Sequence, residues 1–513
     1  MLAKARRAWR AAFLLGYLAR VFASSAVTAT TLAVVDLGSN SFRLEIGRVE
    51  GGQIYRQDTW RETLRFGAGL DTEGRITAPA MKAALECLAR FRERLSGVPA
   101  AAVRAVGTNT FRVATNARDF LRLAERALGF PIDVIGGHEE ARLIYLGVAH
   151  VLPPSTAPRL VIDIGGGSTE FIIGRGLEPE RLESLKIGCV GLTQRFFPKG
   201  RVTAASFAAA ETAARVEIEA IANEFGPSHW RDAYASSGTA AALAEILEQN
   251  GFSPAGITPV GLDRLRKRLI LAGHAGKLNL NALKPERVPV LAGGLAIMAA
   301  AVAELGVARI EPVGGALRLG VLYDLLGRSI DEDVRKVTVE RFVERYRIDR
   351  AHAARVAALA ATLYTRAVPE ATVAQLQLLR WAALLHEAGM SVSHIGFHKH
   401  GAYIMQHADM PGFSAGEQSH LALLVFGSRG GLSKVQSALS DAHIRAQLLA
   451  LRLAVLFHHA RTPIALPRLK FAVAGHVKFG ISARWLKAHP LTAHLLGKER
   501  AQWEALGYRW RVG

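Results

Sequence analysis

The sequence predicts an α/β protein built on an internal duplication and followed by an all-helical region. Three observations carry this. A thirteen-residue segment occurs twice without a gap, Asp36 to Arg48 on Asp163 to Arg175, with Asp, Gly, Ser, Ile, Gly and Arg recurring in register. The plan of strands and helices before the proline-rich stretch Pro153-Pro154-Ser155-Thr156-Ala157-Pro158 is repeated after it. Beyond Asp331 alanine-, leucine- and arginine-rich periodic segments dominate, a pattern of amphipathic helices.

In the first half, the apolar run Leu32 to Val35 precedes the turn Gly38-Ser39-Asn40-Ser41 and an alternating segment, which reads as strand, tight turn and returning strand. A third strand is expected to end near Trp60. It is followed by a helix over Pro79 to Leu95, a strand at Ala102 to Val106, a helix at Ala117 to Leu128, a strand at Ile132 to Ile135 and a helix from His138. The linker then marks a boundary, because proline-rich stretches break regular elements. The second half predicts a hairpin over Arg159 to Arg175, a strand at Leu182 to Ile187, a helix at Ala204 to Phe225, a strand at Ala233 to Ser236 and a helix from Gly238. The charge-free stretch Val288 to Ala303 reads as a buried helix, and Gly327 as a helix stop. The βββαβα plan, twice over, is that of the ribonuclease-H-like half of actin-like phosphotransferases. Helices are expected at His352 to Arg366, Leu376 to His386 and Leu448 to His459, with two short strands and a helix between Leu469 and Val512.

A chain of 513 residues holds more than one domain. The expected organisation is a basic extension over 1–30, α/β domains over 31–154 and 155–327, and a helical domain over 328–513. The 64 Lys+Arg against 44 Asp+Glu give a net charge of +20, which suggests a polyanionic partner. Aromatics are only 7%, and no basic stripe is interleaved with aromatics to stack bases, so no specific nucleic-acid partner is expected. The two cysteines, Cys87 and Cys189, give no disulfide framework, which suggests a reducing cytoplasm. No apolar run reaches the length of a membrane span. Lys4, Arg6, Arg7 and Arg10 precede the apolar stretch Ala11 to Leu18. That pattern is shared by an export signal and by a basic amphipathic helix touching a membrane peripherally, although Arg20 interrupts it.

The two glycine turns carry the chemistry. Turns of small residues aim backbone N–H groups at phosphate, so Ser39, Asn40 and Ser41 on one side and Gly165, Gly166, Gly167 and Ser168 on the other are candidate phosphate ligands. Asp163 and Glu170 close the second hairpin from its two arms, so both carboxylates can face one metal ion. Hard oxygen donors of this kind suit Mg²⁺. Asp36 stands at the equivalent place in the first hairpin and is a candidate for metal or its water. Its counterpart across that turn is Arg43, which makes the expected metal site asymmetric. Arg112 offers paired guanidinium donors to phosphate. The Ser236-Ser237-Gly238-Thr239 turn suits either an anion or a helix cap.

Several segments together resemble the exopolyphosphatase/guanosine pentaphosphate phosphatase (Ppx/GppA) family. They are DLGSNS at Asp36, GTNTFR at Gly107, GGHEEARLIYLGV at Gly136, LVIDIGGGSTE at Leu160, ASSGT at Ala235 and GALRLGVLYDLL at Gly315. The segment from Leu378 to Phe413 is similar to the long members of that family, whose helical C-terminal domain is HD-like. The resemblance implies duplicated ribonuclease-H-like (actin-like) α/β domains followed by an all-α HD-like domain. It places the catalytic base on Glu140, where the residues alone would equally allow Glu139 and Glu140 to favour a helix N-terminus through its dipole. It also implies metal at Asp163 and Glu170, a homodimer, and Mg²⁺-dependent release of terminal phosphate from inorganic polyphosphate. The alternative is guanosine pentaphosphate (pppGpp) as substrate. A non-catalytic polyanion binder and an ATP-driven kinase or chaperone on the same fold are the rivals from other classes. In the helical domain His398, Lys399 and His400 are candidate contacts for a polyphosphate channel. His352 and His386-Glu387 evoke the His-Asp metal phosphohydrolases, but Glu387 stands where those carry aspartate and the late helix lacks their last acidic ligand, so structural histidines are expected.

Overall fold

The computed structural model describes residues 30–50, 52–329, 333–466, 470–473 and 476–512. The expectations for the basic segment ahead of Thr30 lie outside the described residues. The chain forms two compact units, Met1–Glu332 and Asp333–Gly513.

In the first unit, β1 (Thr30–Leu37), β2 (Phe42–Glu50) and β3 (Gln53–Glu62) are followed by α1 (Ala78–Arg94), β4 (Val103–Gly107), α2 (Asn109–Val113), α3 (Ala117–Leu128), β5 (Ile132–Val134) and α4 (Gly137–Val151). The pattern then repeats. The strands β6 (Arg159–Ile164), β7 (Thr169–Arg175) and β8 (Glu178–Leu185) precede α5 (Cys189–Phe196), α6 (Ala204–Phe225), β9 (Asp232–Ser236) and α7 (Ser237–Gln249). The unit closes with α8 (Pro259–Ala272), α9 (Val288–Glu304), β10 (Glu311–Pro312) and α10 (Leu317–Ser329). The two sheets have the same strand order, β3-β2-β1-β4-β5 and β8-β7-β6-β9-β10. In each, the first strand pairs antiparallel with the second and parallel with the fourth.

The repeat extends to detail that a sequence pattern does not express. Each sheet carries a register shift between its second and third strands, at Ile46/Gly47 in one and at Ile173/Gly174 in the other, the same step of the thirteen-residue repeat. Glycine is required there by close approach: a Cβ on Gly47 would lie 2.6 Å from Ile54 Cγ2, and one on Gly174 would lie 2.4 Å from Tyr145 Cζ.

Both faces of the first sheet are covered. Ala33, Val35, Leu37 and Phe42 pack with Phe91 and Phe120 on one side. Leu32 and Val34 face a second core that also holds Val161 and Ile172 of the other sheet. Helices α4 and α10 fill this shared core with Leu143, Val148, Leu317 and Leu322. The two helices touch backbone to backbone. A Cβ on Gly320 would lie 1.7 Å from Leu143 O, and one on Gly147 would lie 2.2 Å from Ala316 O. The N-terminus of α4, with Glu139 and Glu140, therefore sits on a support with no slack.

Several boundaries differ from the sequence expectation, among them two in the first unit and the helix expected at Leu448 to His459, which spans Ala442–Phe457. The strand expected at Leu182 to Ile187 forms earlier, over Glu178–Leu185, where it can pair across the short turn after β7. Gly327 does not stop the last helix, which runs to Ser329. Glycine inside a helix costs about 1 kcal/mol, and burial of Leu322 and Leu325 outweighs that.

The second unit is mainly helical: α11 (Val334–Arg345), α12 (Arg350–Ala367), α13 (Val373–Leu385), α14 (Phe397–His407), α15 (Ala415–Gly427) and α16 (Ala442–Phe457) surround one core. Its tail forms β11 (Lys470–Val473), β12 (His476–Gly480), α17 (Ala483–Ala488), α18 (Pro490–Ala505) and β13 (Arg509–Val512). Three strands form where two were expected, because β13 returns to pair with β12 in parallel. None of the described helices is long and apolar enough to cross a membrane.

Candidate active site

A cavity of about 130 Å³ opens between the two halves of the first unit. The hairpin turns form its walls and approach one another closely. A Cβ on Gly166 would lie 3.1 Å from Ser39 Cβ, and one on Gly167 would lie 2.0 Å from Asn109 Nδ2. Glycine lets the second turn come this near the first turn and the Asn109 side chain of α2. Ser39 is held by Thr110 Oγ1, which donates to its Oγ at 2.8 Å. Ser39, Asn40, Ser41, Gly165, Gly166, Gly167 and Ser168, the expected phosphate ligands, all line the cavity, as do Asp36, Glu140 and Asp163.

The carboxylates follow from strand register. Asp163 pairs directly with Glu170 across β6 and β7, as Asp36 pairs with Arg43 across β1 and β2. Directly opposed residues of an antiparallel pair share a face of the sheet, so the asymmetry read from the repeat is present in the fold. Ser236 Oγ donates to Asp163 Oδ2, and Ser184 Oγ donates to Glu170 Oε1 at 2.9 Å. Glu170 lies behind the cavity wall, 1% exposed, and is not one of the lining residues.

Glu140 sits in the first turn of α4 and accepts from Arg112 Nη1 at 2.7 Å. The same Nη1 reaches Ile135 O at 2.9 Å. Arg112 was expected to face phosphate. The structure puts it on Glu140 instead, outside the cavity lining, because the end of α2 lies beside the start of α4. Glu139, one residue away, points into a different network. Arg142 donates to both its oxygens at 2.7 and 2.8 Å, and Arg142 and Arg104 also hold Asp324 of α10.

Burial dominates the electrostatics. It raises the carboxyls of Asp36 and Glu140 above the ordinary range, Glu170 well above it, and Asp163 to about 6. Arg112 pulls Glu140 back down, while the neighbouring Asp36 and Asp163 push it up. Four buried acids of one sign call for a counter-charge. Among the described residues no three of them bring ligand oxygens within 4.8 Å of one another. The set therefore fits an ion that takes one or two protein carboxylates and completes its shell with water and phosphate oxygens, as Mg²⁺ does.

Three arginines of the cavity lie outside the phosphate ligands expected from the sequence: Arg43, Arg287 and Arg318. Burial and the nearby Arg318 lower Arg43 to about 10. Arg318 reaches from α10 to Glu45 Oε2 at 3.1 Å and Asp36 Oδ2 at 3.4 Å. Arg287 lies over Gly238, whose Cβ would collide with its guanidinium. Ser237 beside it has a φ of 84°, a strained value for a non-glycine residue of the kind that collects at functional sites. Arg318 lay within the GALR segment of the family resemblance, while Arg287 carried no motif signal.

His398 and Lys399 start α14 in the second unit, with His400 one residue further on. Burial, then Lys434, Lys399 and Arg429, hold the His398 imidazole down to about 4.

A duplicated α/β fold with glycine hairpins facing each other over buried carboxylates defines the actin-like class of phosphate-handling proteins. The Ppx/GppA phosphatase family model matches residues 46–329, and the model for domain III of that family matches residues 334–500. The chain belongs to the Ppx/GppA phosphatase family. It is 38% identical over 491 residues to the guanosine-5'-triphosphate,3'-diphosphate pyrophosphatase of Vibrio cholerae, covering 94% of this chain and 98% of that protein. The protein of the same name from Vibrio campbellii is 37% identical over equal shares. Among solved structures, an exopolyphosphatase from Cytophaga hutchinsonii superimposes with a TM-score of 0.52 at 26% identity, covering 58% of this chain and 98% of that one.

Proposed function

We propose that this phosphatase removes the terminal phosphate of guanosine pentaphosphate. The observation that carries the choice of substrate is coverage. The Vibrio relatives named for that nucleotide match 94% of the chain, helical unit included, whereas the exopolyphosphatase structure matches 58%. This reverses the order of substrates expected from the sequence.

The terminal phosphate lies between the two hairpin turns. Backbone N–H groups of Gly165 to Ser168 and the side chains of Ser39, Asn40 and Ser41 supply its donors, with Arg43, Arg287 and Arg318 balancing its charge. Asp163 and Glu170, with Asp36 opposite, would hold Mg²⁺, which would supply positive charge to the phosphoryl oxygens. Glu140 takes a proton from water as the water oxygen bonds to the terminal phosphorus. The bond from that phosphorus to the bridging oxygen breaks, and the electron pair leaves on the shortened phosphate chain. Orthophosphate is released, and Glu140 returns its proton to solvent. Arg112 keeps Glu140 ionised and fixes its rotamer.

A second reading, inorganic polyphosphate as an additional substrate, is favoured by the net charge of +20 and by the cationic group of Lys399, Arg429 and Lys434 around His398 in the helical unit. The two are separated by measuring phosphate release from each substrate with Mg²⁺ and following the nucleotide product. The proposal predicts a kcat/KM for the nucleotide at least tenfold above that for polyphosphate per chain end, with the 5'-triphosphate shortened by one phosphate. A preference for polyphosphate overturns it.

A further inference from the structure

His352, His386 and Glu387 form a buried cluster in the helical unit whose ligand atoms all lie within 4.8 Å of one another. His352 stands in the first turn of α12, and His386 and Glu387 follow the last residue of α13. We propose that these three side chains bind one divalent first-row transition-metal ion, separate from the catalytic site, with Arg461 as the group that competes with the ion for Glu387.

His386 Nδ1 lies 2.7 Å from Ala383 O. A carbonyl only accepts, so Nδ1 carries the hydrogen and Nε2 keeps a lone pair. That Nε2 is fully buried without a hydrogen-bond partner. It faces Glu387 Oε1 at 4.0 Å, a second acceptor with no hydrogen to share. His352 Nε2 lies 3.7 Å from the same oxygen. Two acceptors turned toward each other in a buried site carry a cost that a cation between them removes. Ligand atoms at about 2.0–2.1 Å from a tetrahedral ion stand about 3.3 Å apart, so separations of at most 4.8 Å need to contract by no more than about 1.5 Å. A backbone carbonyl fixing the tautomer of a ligating imidazole is the usual support of a metal site.

Two imidazoles and one carboxylate select a borderline ion such as Zn²⁺, Co²⁺ or Ni²⁺ over Mg²⁺. An imidazole with an ordinary pKa of about 6.5 is mostly neutral at neutral pH and offers a lone pair to the ion. Arg461 Nη2 lies 2.6 Å from each oxygen of Glu387 and satisfies the carboxylate but neither imidazole. Its side chain is 41% exposed, and its Nη1 is 3.6 Å from Asp349 Oδ2. An incoming ion can displace it toward Asp349 and solvent through the side it occupies.

The test is titration of the full-length protein with Co²⁺, read by visible d–d absorption. It is run in a Glu170→Gln background, which weakens metal binding at the catalytic carboxylates, whose all-oxygen spectrum differs from that of a nitrogen-ligated ion. The inference predicts one equivalent with a nitrogen-ligand spectrum. The His352→Gln and His386→Gln substitutions should each weaken binding at least a hundredfold, and Arg461→Ala should tighten it at least tenfold. Arg461 is on the surface, so its variant remains informative if a buried histidine variant fails to fold. Absence of a saturable spectrum, a spectrum indifferent to both histidines, or weaker binding in Arg461→Ala would overturn the site.

Discussion

Arg112 Nη1 holds Glu140 Oε2 at 2.7 Å, and the pair is anchored to the backbone at Ile135 O. Burial raises the Glu140 carboxyl and Arg112 lowers it. A base must be ionised, so activity should fall as pH drops through the Glu140 pKa, and the acid limb of kcat/KM should lie above the ordinary carboxylate range. Removing the cation removes the lowering influence. In Arg112→Ala that limb should move to higher pH, while Arg112→Lys should keep most of it. A pH–rate profile of the three proteins checks this, and an unmoved limb would separate Arg112 from the base.

Asp163 is pushed to about 6 by burial, above its value of about 3.9 in an unfolded chain. The folded state then binds the extra proton between those values, so this group's contribution to stability declines as pH rises from about 4 to about 6. At pH 7 without metal, Asp163→Asn should be more stable than the parent by at most about 3 kcal/mol, an upper limit because the Ser236 bond changes too. Mg²⁺ should raise the melting temperature of the parent and not of the variant. Thermal denaturation at pH 5 and pH 7 with and without Mg²⁺ measures both.

Arg318 links the two halves of the repeat at the cavity, from α10 to Asp36 and Glu45 on the first sheet. Charge-assisted hydrogen bonds of this kind contribute about 1.5–3 kcal/mol. Arg318→Ala should reduce kcat/KM by roughly tenfold to a hundredfold, with partial recovery in Arg318→Lys. Steady-state kinetics at fixed Mg²⁺ decide it.

The crossing of α4 and α10 tolerates no side chain at Gly320, whose Cβ would lie 1.7 Å from Leu143 O. Backbone cannot yield as a side chain does, so Gly320→Ala should cost about 3 kcal/mol or more. A control at Gly97, which has no neighbour within 4 Å of its added Cβ but a φ of 83°, should cost only its backbone strain. Urea denaturation of both variants gives the comparison.

The duplication was legible because a gapless repeat fixes both hairpins, their turns and the opposition of Asp163 to Glu170 without long-range information. Helices Ala117–Leu128 and Ala204–Phe225 were also bounded correctly, since turn residues flank each one. The Arg112 contact with Glu140 is not legible for a local reason: the motif shows a guanidinium but not that α4 brings Glu140 within reach. Arg287 and Arg318 reach the cavity from segments more than a hundred residues beyond the second hairpin, a distance that spacing does not bridge. The partnerless nitrogen of His386 depends on a bond to Ala383 O, which residue types do not reveal.

The most direct test of the central claim is orthophosphate release from guanosine pentaphosphate by the full-length protein and its Glu140→Gln variant, both with Mg²⁺ and matched for folding by circular dichroism. The account predicts release by the parent and a loss of about 10²- to 10⁴-fold in kcat in the variant, the usual contribution of a general base, with nucleotide binding retained. Equal turnover by the two proteins would contradict it.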